Sequence, residues 1–114
     1  MSFNLNHTLQ AEKEIKHLCK KYPSFKKDLA DLLDQLEATP RMGTEILKDC
    51  YKIEMAIKSK NKGKKSGARI ITFFYAVKNI PCLLSVYDKS EQVSIKDNEV
   101  KVLVEEIKNL FQEA

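Results

Sequence analysis

Six basic side chains (Lys58, Lys60, Lys62, Lys64, Lys65 and Arg69) fall in one twelve-residue stretch of this 114-residue chain, with no acid among them. Removing those six from the net charge of +4 leaves the remaining residues at −2, so all of the excess positive charge sits in this segment. A local field of that kind attracts a phosphate backbone or an acidic partner. RNA cleavage is the chemistry such residues could perform. The 2′-hydroxyl attacks the adjacent phosphate, and the transition state gathers negative charge on the non-bridging oxygens. An arginine fork such as Arg69 stabilises that charge through paired hydrogen bonds. Crowded lysines disfavour one another's protonated form, which lowers their pKa values. One of them, with Lys60 and Lys89 as candidates, would then exchange a proton near neutral pH. A tyrosine beside them, Tyr87, would stack on an unstacked base or orient the 2′-hydroxyl.

Other routes are poorly served. His7 and His17 both lie in the first seventeen residues, far in sequence from the basic segment, and read as surface or packing positions. There is no HExxH, no G-x-S-x-G and no Cys/His metal spacing, so neither a metal nor a cofactor is expected. Gly63-Lys64-Lys65-Ser66 lacks the upstream glycine of a phosphate-binding loop. Cys19, Cys50 and Cys82 are odd in number and widely spaced, which favours reduced thiols in a cytoplasm over disulfides. No signal peptide or membrane span is expected, since no stretch approaches about 18 apolar residues.

The elements that must position these groups follow from periodicity. Ile15, Leu18, Cys19 and Tyr22 predict a helix from about Gln10 to Lys20, broken by Tyr22-Pro23. Phe25, Leu29, Leu32, Leu33 and Leu36 form the stripe of a second helix, from Pro23 or Ser24 to about Ala38, and the two should make a hairpin. From Tyr51 to Lys58 apolar and polar residues alternate, as in a half-buried strand. The basic segment is a loop. Arg69–Val77 is a β-branched and aromatic run typical of a central strand. Residues 78–81 make a turn, and Cys82–Tyr87 returns as the next strand. Ser94 or Asp97 caps a last helix striped by Val100, Leu103, Val104, Ile107, Leu110 and Phe111. A short strand around Phe3–Thr8 is a further expectation. The result is one α+β domain spanning residues 1–114: a helix hairpin, a small antiparallel sheet with its helices on one face, and a C-terminal helix.

In this arrangement the start of one strand lies beside the end of the next. Arg69 and the Tyr87–Lys89 end should therefore converge, with the lysine loop over them and Ser85, Tyr87 and Lys89 on one face. Each feature also has a plainer reading. The lysine loop could be a solvated connection, Tyr87 a core aromatic, and Asp88 and Glu91 surface partners of Lys89.

Three segments then resemble a known family in order and spacing. Tyr51-Lys52-Ile53 with Ser59-Lys60-Asn61-Lys62-Gly63-Lys64 and Ser66-Gly67-Ala68-Arg69-Ile70-Ile71-Thr72 is similar to the strand, basic loop and strand of RelE/ParE-superfamily toxins, most of all their HigB-like branch. Leu83-Leu84-Ser85-Val86-Tyr87-Asp88-Lys89-Ser90-Glu91-Gln92 resembles that branch's later strand segment, and Tyr22-Pro23-Ser24-Phe25 its hairpin break. The likeness runs from about Tyr22 to Phe111. It implies a RelE/ParE-like (microbial-RNase-like) fold and a ribosome-dependent endoribonuclease that cuts mRNA and is restrained by a cognate antitoxin, expected to be a helix-turn-helix protein. The free toxin would be a monomer with no membrane partner. Carried over by position, the resemblance puts Lys58, Lys60, Lys62 and Lys64 on RNA, Arg69 on the scissile phosphate, Tyr87 and Lys89 at the catalytic edge, and Gln92 near it. Lys65 extends the RNA-binding loop. Glu54 departs from the pattern, standing where a basic residue is common, and a carboxylate there would neutralise a lysine or weaken RNA binding. The rivals are a ParE-like inhibitor of DNA gyrase and an inactive toxin-fold module acting only through its antitoxin.

Overall fold

The structure is a computed structural model that describes residues 5–112. Thr8 starts the architecture by doing two jobs at once. Its hydroxyl oxygen accepts from Ala11 N at 3.0 Å, capping helix α1 (Leu9–Lys21), and donates to the Leu84 carbonyl at 2.7 Å, tying that helix to a strand 76 residues away. Ala11, Ile15 and Leu18, spaced by four and three, form the buried stripe of α1. Helix α2 (Phe25–Ala38) follows the Tyr22-Pro23 break and buries Phe25, Leu29, Leu32, Leu33 and Leu36, the stripe expected from the sequence.

A five-stranded mixed sheet follows. Its strands are β1 (Asn6–His7), β2 (Thr44–Leu47), β3 (Cys50–Met55), β4 (Ala68–Tyr75) and β5 (Ile80–Asp88), in the order β1-β5-β4-β3-β2. The β2–β3, β3–β4 and β4–β5 pairs are antiparallel as expected, but β1 runs parallel to β5, pairing Asn6 with Cys82 and His7 with Leu83. Phe3 and Asn4, included in the expected N-terminal strand, lie outside the described residues. Strand β2 was not anticipated as a separate element. It turns into β3 through Asp49, whose φ of 62° places it in the left-handed region.

The helices do not share one face. Alternation along the strands sends Ile53, Met55, Ala68, Ile70, Leu83 and Val86 to a core with α1 and α2, while Cys50, Ile71, Phe73, Cys82, Leu84 and Tyr87 meet Val100, Leu103 and Ile107 of α3 (Asp97–Leu110). The sheet is thus sandwiched. The reason lies in β4 and β5, which are apolar on both faces and need cover on both. Neither Ser94 nor Asp97 caps α3; Lys96 holds the cap position without a side-chain bond, and Asp97 and Glu99 lie in the first turn.

The basic segment is not a featureless loop. It contains two short 3-10 turns, Lys58–Lys60 and Lys64–Ser66, and re-enters the sheet at Gly67. A Cβ on Gly67 would overlap the Met55 carbonyl oxygen. Gly67→Ala is therefore expected to destabilise the fold by about 1–3 kcal/mol, as overpacking against rigid backbone does. Urea denaturation checks it, and an unchanged midpoint would mean that the β3–β4 junction yields easily.

Among the described residues, no helix is long and apolar enough to cross a membrane. Burial pushes the Cys50 thiol up to about 11, helped by Asp49 and Glu45, and the Cys82 thiol up to about 12.

Candidate functional site

Backbone register builds the site. Glu54 of β3 faces Arg69 of β4, and Arg69 faces Tyr87 of β5, so one cross-strand row runs Glu54–Arg69–Tyr87 on the α3 side of the sheet. The adjoining row on the same face carries Lys52. Lys89, just past the end of β5, completes the group by pairing with Glu54. The expected convergence of Arg69 with the Tyr87–Lys89 end is what the structure has.

Each cation in this row is held twice. Arg69 Nη2 donates to Glu54 Oε1 at 3.1 Å and Nη1 to the Val93 carbonyl at 2.9 Å. Lys89 Nζ meets Glu54 Oε2 and donates to the Lys64 carbonyl at 2.9 Å. The Lys89 side chain is 15% exposed and that of Arg69 18%. Burial, and after it the charge of Lys52, push the Lys89 ammonium below its ordinary pKa; the Glu54 carboxylate pulls the other way. Sequence reasoning left Lys52 without a role. Its alternation with Glu54 along β3 was the signal that places both on the Arg69 face.

Tyr87 is a core aromatic. Only 4% exposed and packed with the α3 cluster, its ring cannot stack on a base in this arrangement. Its hydroxyl and Arg69 Nε are both buried with no hydrogen-bond partner among the described residues. Buried donors without partners cost about 1–3 kcal/mol each, so they mark places where a ligand or solvent atom would be welcome.

Lys60 is not part of this row. It sits by Asp88, whose side chain points to the other face, and donates to Asp88 Oδ1 at 2.7 Å and to the Ser66 carbonyl at 2.8 Å, with Nζ 5.1 Å from the Tyr22 ring centroid. Burial alone would lower the Lys60 pKa, but Asp88 and Tyr22 outweigh it and raise it. The crowding argument that would have made Lys60 a proton donor or acceptor near neutrality therefore fails, because its nearest charge is an anion.

Asp88 is the centre of that second cluster. It is fully buried, accepts from the Tyr22 hydroxyl at 2.5 Å and from Lys60, and lies 3.6 Å from Lys21. It is not a surface partner of Lys89, and neither is Glu91, which meets His17 at 3.0 Å and Lys21 at 3.1 Å.

The other loop lysines divide between two clefts. Lys62 and Lys65 join Tyr22, Lys60 and Lys89 around one of about 570 Å³. Lys58 and Lys64 line another of about 290 Å³, whose walls include Asp28, Asp31 and Glu54. Gln92 lies on a third cleft with Glu14, His17 and Glu91, and donates to the Ser94 carbonyl. His17 is thus nearer to the end of β5 than its sequence position suggested, although it remains exposed.

No protein-family model matches the chain, and no curated protein does. Among solved structures it is similar to a double arginine-to-alanine mutant of E. coli toxin RelE in the free state, with a TM-score of 0.57 and 21% identity over 97% of this chain and 100% of that one. The fold is therefore that of the RelE-like toxins.

Proposed function

We propose that the chain is the toxin of a type II toxin–antitoxin module, of the HigB-like branch, and that it cuts mRNA on the ribosome by metal-independent transesterification. The observation that carries this reading is the Arg69–Lys89 pair, two scarcely exposed cations held beside one anion on a RelE-like fold. Arg69 neutralises the scissile phosphate. The 2′-oxygen, giving its proton to solvent, bonds to phosphorus as the bond to the 5′-oxygen breaks, and Lys89, with its lowered pKa, gives a proton to that leaving oxygen. Lys58, Lys62, Lys64 and Lys65, all exposed, contact the RNA backbone, and Gln92 meets it from the separate cleft by Glu91. Tyr87 lies in the same cross-strand row, its buried hydroxyl left without a hydrogen-bond partner among the described residues and so open to a ligand or solvent atom. A helix-turn-helix antitoxin restrains the toxin in the cytoplasm.

Primer extension on a defined mRNA, with and without ribosomes, tests the reading. Cuts that appear only with ribosomes are expected; a folded protein that leaves mRNA intact would shift the reading to gyrase inhibition or a silenced toxin. Binding should also weaken steeply with salt. With four exposed loop lysines on phosphates, log K against log salt should fall with a slope of about −3. A flat response would remove the loop from the RNA-contacting surface.

A further inference from the structure

We propose that Glu54 is a built-in competitor for the phosphate site, a specificity-determining carboxylate that any bound phosphate must displace. The inference rests on the nuclease reading for its biological sense, but its physical core does not. Both oxygens of this one carboxylate are engaged, Oε1 by Arg69 and Oε2 by Lys89. A phosphate would present two non-bridging oxygens to the same donors, since carboxylate and phosphate suit the arginine fork alike. Glu54 is also the most exposed member of the trio, its side chain 35% exposed, so it lies at the mouth of the site. The cations do not depend on it for position. Arg69 keeps the Val93 carbonyl and Lys89 the Lys64 carbonyl when the carboxylate swings away.

The consequence is a threshold. A ligand with few phosphates exchanges one anion for another at Arg69 and Lys89 and gains little. An RNA already held at several loop lysines, or presented by a large assembly, supplies enough additional attraction to displace Glu54. The carboxylate therefore selects against loosely held polyanions, and free RNA is among them.

Glu54→Gln keeps the shape and removes the charge. Titration of pyrophosphate by calorimetry reads the competition without any cleavage. Affinity about tenfold tighter than wild type is expected, with the gain lost when Arg69→Ala is added. Glu54→Ala, checked for folding by circular dichroism, should show the same gain. Equal or weaker pyrophosphate binding in both variants would overturn the proposal and make Glu54 a support for Arg69. On ribosome-free RNA, the glutamine variant should cut where wild type does not. If it binds pyrophosphate more tightly yet no variant cuts RNA even with ribosomes, the competitor stands and the nuclease reading falls.

Discussion

Arg69→Ala should lower the rate of mRNA cutting by at least about a hundredfold while leaving the fold in place. Removing one donor aimed at a developing oxyanion costs about 10²–10³ in rate, and Arg69 is the one guanidinium in the row, its Nη2 turned to phosphate once Glu54 gives way. Its neighbours Ile70 and Ile71, which are fully buried, carry the packing of β4. Arg69 contributes to stability mainly through a partly exposed pair with Glu54, worth about 1 kcal/mol or less. Single-turnover cleavage on programmed ribosomes, together with a urea midpoint, separates the two effects. A cutting rate within threefold of wild type would take Arg69 out of the mechanism. Lys in its place should recover little, because an ammonium presents no planar fork.

Asp88→Asn should cost about 3 kcal/mol of stability, close to 10 °C in melting temperature for a domain of this size. The Asp88 side chain is fully buried and receives Lys60, Tyr22 and Ser90. Burial alone would raise its pKa, but those hydrogen bonds, Lys60's first, prevail and hold the carboxyl far below the ordinary carboxylate range. A folded pKa below the unfolded value of about 3.9 means that the charged form stabilises the fold. That contribution is present in full above about pH 5 and is lost as the solution is acidified below about pH 4. Wild type should therefore lose stability steeply in that acid range, and Asp88→Asn much less so. Urea titrations at pH 3 and pH 7 measure both slopes; parallel curves would show that Lys60 and Asp88 are not coupled in solution.

How far the sequence reached can be seen in single residues. The Arg69–Tyr87 pairing was legible because a short turn joins β4 and β5, so chain order alone sets which ends meet. The α2 stripe was legible because five large apolar residues at helical spacing have one good way to be buried. The partner of Asp88 was not. It depends on how the 3-10 turn at Lys58–Lys60 folds back, and the sequence around a lysine does not say which carboxylate will reach it. Strand β2 was missed because Thr44–Leu47 is four residues long, too short for alternation to register. The face chosen by α3 was misjudged for a different reason: its stripe announces that one side is apolar, not which surface will receive it. Glu54 drew notice as an oddity in the sequence, and register turned it into a partner for two cations at once.

The pairing of β1 with β5 also sets a timetable for the newborn chain. Thr8 is made 76 residues ahead of Leu84, whose carbonyl it must meet, and at about 5–20 residues per second the ribosome takes roughly 4–15 s to supply it. Until then the α1 cap lacks its distant anchor and the first strand has no neighbour. The row that carries Arg69 and Tyr87 also waits for β5, so the cluster of charges it holds has no form until the ribosome has passed that strand.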